Sequence, residues 1–140
     1  MEDCMVELAN RWRERLLRRD ISIEVESVSK TPLALADNVQ IEQVVTNLIS
    51  NAMHAMEPDG GAITITVQPS KPQSELRGDH VVINIGDTGP GMTPEVLERI
   101  FDPFFTTRQA GTGLGLAISQ RIVNAHRGTI KVQSWPTVGT

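Results

Sequence analysis

Three short segments of the chain carry residue types that could bind a nucleotide. They are residues 47–51 (NLISN), 87–92 (DTGPGM) and 111–116 (GTGLGL), in that order. Each alone would be weak evidence, because a glycine-rich string fits many turns. Chance rarely produces all three features in this order: two amides in one segment, an aspartate followed by spaced glycines, and a glycine loop before an apolar run. The combination predicts a nucleotide site.

The first segment lies in a long predicted helix that starts at Asp37 or Asn38 and runs to about Met56. Successive residues of a helix are rotated by about 100° around its axis, and on this basis the polar side chains form a narrow stripe that lies apart from the apolar packing face. Asn is a mediocre helix former, so a stripe chosen only for solvation would favour other residues. Amide oxygens can ligate a Mg²⁺ ion that keeps several waters and phosphate oxygens. The stripe comprises Gln43, Asn47, Asn51 and His54, and the apolar face comprises Ile41, Val44, Val45, Leu48, Ala52 and Ala55.

The second segment places Asp87 at the end of a predicted strand, beside a turn that contains Gly89 and Gly91. An ionised carboxylate only accepts hydrogen bonds. It therefore suits the exocyclic amine of adenine and would reject guanine, which carries an oxygen acceptor there. The alternative for this segment alone is an ordinary turn-forming aspartate.

The third segment opens a helix that runs from about Leu114 to Ala125. Its glycines let the backbone approach a phosphate, and the helix N-terminus favours an anion. The segment lacks the lysine of a Walker loop and does not follow a first strand, as a dinucleotide fingerprint should. A flexible linker before a helix is the alternative interpretation.

A lid is predicted just before this loop. Phe101, Phe104 and Phe105 surround Pro103 in an irregular segment, and we expect them to anchor a mobile lid whose tip is formed by residues 106–109. Aromatic residues that merely fill a core edge are the alternative.

The remaining periodicities predict one α+β domain over residues 1–140, a two-layer sandwich with helices on one face of a mixed, mostly antiparallel sheet. The further predicted elements are an early helix around residues 6–17, strands at 21–28, 63–67, 81–85 and 129–133, a surface loop at 69–80, and a short helix at 93–100.

Composition excludes several classes of protein. A formal net charge of -4 argues against a nucleic-acid surface, and we interpret the early arginine-rich segment as a solvated helix face. Cys4 is the single cysteine, and the sequence shows neither a signal peptide nor a long apolar run. We expect a reducing cytoplasm, with any membrane link provided by a segment outside this chain.

The motifs resemble the catalytic, ATP-binding domain of sensor histidine kinases, in the GHKL superfamily with its Bergerat-type fold. The resemblance covers nearly the whole chain. QVVTNLISNAMHAM is similar to the N box, DTGPGM and GTGLGL to the glycine boxes, and FDPFFTT to the F box, with Gly139 and Thr140 beginning the last conserved turn. The forms NAMHAM, FFTTR and GTGLGLAIS most resemble kinases of the nitrogen-regulatory and oxygen-sensing type.

The resemblance implies roles for individual residues. Asn51 would ligate Mg²⁺, Asn47 would support the metal and the phosphates, and Asp87 would bind the adenine amine of ATP. His54 and Arg108 stand where many relatives have lysine; a phosphate contact and a neutral hydrogen-bonding role both stay open for His54. The other implied nucleotide-binding positions are Gly89, Gly91, Thr106, Thr107, Gly111, Thr112, Gly113, Leu114, Gly115 and Thr140, and His80 and His126 are expected to be structural.

The amide at Asn47 favours transfer of the γ-phosphate of ATP to an acceptor over hydrolysis of ATP. Hydrolytic GHKL relatives have a Glu at this position to activate water, whereas an amide cannot act as a general base. Phosphoryl transfer depends on positioning and charge neutralisation, to which Arg108 would contribute. The resemblance therefore implies an excised kinase domain that would phosphorylate a histidine on a separate dimerisation domain, with a response regulator downstream. A GHKL protein serine kinase or anti-sigma factor, and a nucleotide-binding module without transfer activity, are the alternatives.

Overall fold

A computed structural model describes residues 1–27, 36–70, 80–108 and 111–140 of the chain. Val28 of the predicted first strand, residues 32–35 before the long helix, most of the predicted 69–80 loop, and Gln109 of the predicted lid tip lie outside these ranges. The described elements are helix α1 (Glu2–Leu17), strand β1 (Ile21–Ser27), helix α2 (Asn38–Ala55), strands β2 (Gly61–Pro69) and β3 (Val81–Asp87), helix α3 (Pro94–Leu97) and helix α4 (Gly115–Ala125).

The strands form a mixed sheet in the order β1-β2-β3. β1 runs parallel to β2, and β2 runs antiparallel to β3, with Ile65 opposite Ile85 and Ile63 opposite Asp87. Directly opposed residues of an antiparallel pair project from the same face. Because Ile63 is buried, this register places Asp87 on the covered face of the sheet.

Helices α1 and α2 pack on that face. Alternate residues of β2 are buried, as expected when one sheet face meets a helical layer and the other meets solvent. The two-layer α+β architecture predicted from the sequence is confirmed. The core cluster consists of Met5, Leu8, Ala9, Leu16, Ile21, Ile23, Val45, Ile49, Ala52, Met53, Met56, Ile63, Ile65 and Val67.

Helix α2 begins at a capped N-terminus, as predicted. The Asp37 carboxylate accepts hydrogen bonds from the backbone N–H groups of Val39 at 2.9 Å and Gln40 at 3.2 Å. The Asp37 backbone N–H itself donates to Nε2 of His126, 3.0 Å away, at the C-terminal end of α4. His126 therefore joins the start of α2 to the end of α4, in agreement with its predicted structural role.

The arginine-rich segment lies on the exposed side of α1 and in the turn after it. Arg11 pairs with Glu42, Arg18 with Glu14, and Arg19 with Glu57. The Arg15 guanidinium lies over the Trp12 ring, 5.0 Å from its centroid. Exposed pairs of this kind contribute little to stability, so the segment behaves as the solvated face that the sequence suggested.

Two predicted elements differ in the structure. The helix predicted over 93–100 ends at Leu97, because hydrogen bonds from Arg99 to Val96 and from Asp102 to Arg99 turn the chain and bury Ile100. Residues 129–133 do not form the predicted strand. Ile130 and Val132 are less exposed than the residues beside them, and residues 130–133 line a cavity. Within the described ranges, no helix is long and apolar enough to cross a bilayer.

Candidate functional site

A cavity of about 980 Å³ opens between α2, the end of β3 and the start of α4. Its volume lies at the upper end of the range usual for small-molecule sites. Among the predicted site residues, only Gly89 and Leu114 do not line it. The predicted residues that line it are Asn47, Asn51, His54, Asp87, Gly91, Thr106, Thr107, Arg108, Gly111, Thr112, Gly113, Gly115 and Thr140.

Helix α2 forms one wall with its polar stripe. Asn47, Asn51 and His54 line the cavity, whereas Gln43, one turn earlier, is exposed outside it. The packing face is rotated from the predicted one: Ile49 and Met53 are fully buried. Leu48 and Ala55, which were expected to pack in the core, line the cavity instead. The core face therefore follows the i, i+4, i+8 row through Val45, Ile49 and Met53. The buried residues of α2 are Val44, Val45, Ile49, Ala52 and Met53.

His54 has a defined hydrogen-bonding arrangement. Its Nδ1 lies 2.5 Å from the backbone carbonyl oxygen of Ser50. A carbonyl only accepts, so Nδ1 carries the proton, and a neutral ring leaves Nε2 as an acceptor. In its neutral form His54 therefore cannot donate a hydrogen bond to a phosphate through Nε2.

Asp87 closes the opposite end of the cavity. One carboxylate oxygen accepts the backbone N–H of Gly89 at 2.8 Å. Its backbone exchanges hydrogen bonds with Thr140, at 2.8 and 3.3 Å. Burial raises the pKa of the Asp87 carboxyl above its ordinary value of 3.8, and the backbone N–H groups of Gly89 and Thr140 partly oppose this rise. Gly89 thus orients the carboxylate from behind and does not form the cavity wall.

The raised pKa predicts how the stability of the free protein changes with pH. The folded state holds the Asp87 proton more tightly than the unfolded chain does. The stabilising contribution is therefore present below pH 3.8 and is lost as pH rises through the folded pKa. We expect Asp87→Asn to gain stability relative to the wild type as pH rises from about 4 to about 7. Denaturant unfolding at several pH values tests this, and a stability difference that is independent of pH would contradict it.

Residues 134–140, which we call the terminal turn, fasten the loop after β3. The Ser134 hydroxyl accepts the backbone N–H of Met92 at 2.8 Å and lies 2.9 Å from the Thr140 hydroxyl. Gly91 has a φ of +66°, and a Cβ there would collide with the Trp135 backbone. Glycine is therefore required at position 91 for both conformation and space. The terminal turn holds Thr140 beside Asp87.

The glycine loop (residues 111–115) is packed against protein atoms. Gly113 has a φ of +67°, and its carbonyl accepts the Phe104 backbone N–H at 2.9 Å. A Cβ at Gly113 would overlap the Phe104 backbone, and one at Gly115 would overlap the Asn47 amide. These glycines thus allow the lid and α2 to pack closely against the start of α4, in addition to the phosphate approach predicted from the sequence. Leu114 is the N-cap residue of α4 and lies outside the cavity lining.

The lid segment, residues 101–108, is anchored differently from the prediction. Phe104 is 75% exposed and has a φ of +67°, so its side chain is not an anchor. The lid is instead held by the Phe104 backbone bond to Gly113 and by Phe105, whose ring receives the Arg99 guanidinium at 4.4 Å. Thr106, Thr107 and Arg108 are exposed at the cavity mouth.

The cavity also has an apolar wall that was not predicted from the sequence. Ile83 and Ile85 follow the alternation of β3, which could have revealed them, but the others come from separate parts of the chain. These apolar lining residues suit a flat, weakly polar group next to Asp87. They are Ile83, Ile85, Met92, Val96, Ile100, Leu116, Ile130, Val132 and Trp135.

The cavity can be tested for its fit to a metal. Among the described residues, no group of three or more His, Cys, Asp or Glu side chains could hold an ion. A metal here would need its remaining ligands from water or from a bound phosphate. The half-buried amides of Asn47 and Asn51 supply oxygen donors, which suits Mg²⁺. The residues present therefore fit Mg²⁺ accompanied by a polyphosphate.

Comparison with known proteins agrees with this arrangement. The family described as histidine kinase-, DNA gyrase B- and HSP90-like ATPases matches residues 36–140. The sensory histidine kinase/phosphatase NtrB of Salmonella typhimurium is 38% identical over 104 residues, which are 71% of this chain and 30% of NtrB. The matched share of other curated relatives runs from 15% to 35% of their length.

Solved structures show the same fold. The catalytic domain of histidine kinase ThkA is 31% identical with a TM-score of 0.74, covering 90% of this chain and 78% of that one. Full-length ShkA in complex with AMPPNP is 30% identical with a TM-score of 0.82, covering 99% of this chain and 28% of ShkA. The chain belongs to the family of histidine kinase-, DNA gyrase B- and HSP90-like ATPases and is an ATP-binding domain of the sensor histidine kinase type.

Proposed function

We propose that this chain binds ATP with Mg²⁺ and transfers the γ-phosphate to a histidine on a separate dimerisation domain. The observation that carries the proposal is the composition of one cavity: an aspartate at one end, and an amide stripe facing a glycine loop at the other. This separation matches a nucleotide, with the base at Asp87 and the phosphates between α2 and α4. The AMPPNP complex of ShkA supports the choice of nucleotide.

The base end would select adenine. The Asp87 carboxylate would accept the exocyclic amine, and Ile85 and Met92, which line the same cavity, would pack against the ring. Thr140 lies beside Asp87 through its backbone bonds and assists there, by way of a water. Gly91 keeps the loop close to the terminal turn and so shapes this end of the cavity.

The phosphate end would be formed by α2 and the glycine loop. Asn51 would hold Mg²⁺ through its amide oxygen, and Asn47 would support the metal and the phosphates. When Mg²⁺ is bound, negative charge on the β- and γ-phosphate oxygens is neutralised. Backbone groups of Gly111, Gly113 and Gly115, which line the cavity, would contact the phosphates at the N-terminus of α4. Arg108, Thr106, Thr107 and Thr112 are exposed and line the cavity, and they would contact the γ-phosphate.

The geometry at Asn47 supports transfer in preference to hydrolysis. Its amide cannot take a proton from water, and Nδ2 is already committed to the Ser119 hydroxyl at 3.0 Å. A neutral imidazole from another domain would bond to the γ-phosphorus as the bond to the bridging oxygen breaks and ADP leaves. The protein's contribution is alignment and charge neutralisation.

The partners follow from the same proposal. The phosphoacceptor is the dimerisation and histidine phosphotransfer domain of the parent kinase, and a response regulator receives the phosphate afterwards. Histidine kinase ThkA has been solved in complex with the response regulator TrrA, which supports a partner of that class. We place the domain in the cytoplasm, with any membrane attachment made by other segments of the parent protein.

The test is a phosphotransfer assay with labelled ATP, Mg²⁺ and the parent's dimerisation domain. We expect an acid-labile, base-stable phosphate on that domain, which is the behaviour of phosphohistidine. Slow hydrolysis should be seen when the acceptor is omitted. Acid-stable label on a serine protein would instead identify a serine kinase. ATP binding without label on any acceptor would identify a module without transfer activity.

A further inference from the structure

Ser119 is a buried polar residue to which the proposed function assigns no role of its own. It lies on α4, one turn after Gly115, and is 1% exposed. Among the described residues it is the one polar side chain in the buried class. A buried hydroxyl is costly unless it forms hydrogen bonds, so its contacts identify what it does.

The contact of Ser119 is with Asn47. Nδ2 of Asn47 donates a hydrogen bond to the Ser119 hydroxyl oxygen, 3.0 Å away. The other half of the same amide lies against the first turn of α4, because a Cβ at Gly115 would overlap Oδ1 of Asn47. Ser119 therefore bonds one end of the amide while the other end lies close to Gly115, and both Asn47 and Gly115 line the cavity.

A serine hydroxyl can accept from an amide NH₂ or donate to an amide oxygen, and in this structure it accepts from Nδ2 of Asn47. This arrangement leaves Oδ1 of Asn47 without a bond to Ser119. The last torsion of an asparagine side chain is broad and nearly two-fold, so an unrestrained amide can turn either its oxygen or its NH₂ toward the cavity. Only the oxygen can serve Mg²⁺ or a water bound to it. An NH₂ group turned toward the cation would be repelled.

We propose that Ser119 is a positioning residue that fixes the Asn47 amide with its oxygen available to the cation. This inference rests on the proposed binding of ATP with Mg²⁺. It also connects the helix that carries the amides to the helix that follows the glycine loop. A change at Ser119 would therefore reach the metal end of the site without touching the base end.

The first test measures ATP affinity by calorimetry with Mg²⁺ and with EDTA, for the wild type, Ser119→Ala and Ser22→Ala. Ser22 is an exposed β1 residue, which makes it a matched control. We expect Ser119→Ala to reduce the Mg²⁺-dependent gain in affinity by about 10- to 100-fold, the range seen when a metal ligand loses its supporting hydrogen bond. Affinity in EDTA should fall less than affinity with Mg²⁺, because Asp87 and the base end of the cavity are untouched. Ser22→Ala should match the wild type in both conditions.

A double-mutant cycle separates positioning from packing. If Ser119 acts through Asn47, then Ser119→Ala should cause no further loss of the Mg²⁺ effect in an Asn47→Ala background. An undiminished Mg²⁺ effect in Ser119→Ala, an equal loss with Mg²⁺ and with EDTA, or a further loss in the double variant would each overturn the inference. If Ser119→Ala does not fold, Ser119→Cys keeps the volume with a weaker acceptor and should give a partial loss.

A measurement on the free protein makes the inference independent of ATP. The side-chain NH₂ of Asn47, assigned by its disappearance in Asn47→Ala, should exchange its protons more slowly in the wild type than in Ser119→Cys. Equal exchange rates would overturn the positioning role. A wild type that does not gain ATP affinity with Mg²⁺ would refute the proposed cation role and this inference together. Normal wild-type behaviour with an unaffected Ser119→Ala would refute the inference alone.

Discussion

Asp87→Asn is expected to reduce ATP affinity by about 100-fold or more. The substitution removes a charged hydrogen bond to the adenine amine and places a second donor opposite it. Oδ1 of Asp87 accepts the Gly89 backbone N–H. An asparagine would satisfy that donor with its single oxygen and would turn its NH₂ toward the adenine amine. Two donors would then face each other in a partly buried site. The nearly isosteric change thus removes recognition without removing volume.

Calorimetric titration with ATP measures this effect, and titration with GTP provides the matching specificity test. The exposed Asp59→Asn is the control, because it makes the same chemical change away from the cavity. The free Asp87→Asn protein should gain resistance to denaturant relative to the wild type as pH rises from about 4 to about 7, since burial disfavours the Asp87 charge. Wild-type ATP affinity in a folded Asp87→Asn protein would mean that the adenine assignment is wrong.

The sequence predicted those parts of the structure that depend on local pattern. Helix α2 follows from a capping aspartate and a 3.6-residue period, and both are visible within a short window of the chain. The same period placed Asn47, Asn51 and His54 on one stripe. Strand alternation placed Asp87 at the end of β3. These features bring most of the predicted site residues to one cavity.

The parts that the sequence did not predict depend on contacts between distant residues. Ser119 meets Asn47 across 72 positions, and Ser134 meets Met92 across 42. No local periodicity encodes such pairs. The glycines were also interpreted too narrowly: their small size was attributed to an approaching phosphate, whereas Gly113 and Gly115 already accommodate Phe104 and Asn47. Residues 129–133 alternate as a strand would, but a strand also requires a paired neighbour.

Asn51→Ala is expected to remove the tightening of ATP binding that Mg²⁺ produces, so that affinities with and without Mg²⁺ agree within about 1 kcal/mol. The amide oxygen of Asn51 is the proposed direct ligand, and alanine offers no donor atom. Alanine is the better helix former, so α2 should persist. Paired calorimetric titrations in Mg²⁺ and in EDTA give the result. Gln43→Ala, on the same stripe but outside the cavity, should keep the wild-type Mg²⁺ effect.

Asn51→Asp distinguishes a metal ligand from a direct phosphate contact. A carboxylate keeps an oxygen at the same position and adds negative charge. If Asn51 ligates the cation, the Mg²⁺ effect should be kept or increased, while ATP binding in EDTA should weaken because the carboxylate repels the phosphates. If its NH₂ instead donates to a phosphate, Asn51→Asp should lose affinity in both conditions and Asn51→Ala should still tighten with Mg²⁺. That second pattern would refute the ligand role and leave Asn47, held by Ser119, as the amide that serves the cation.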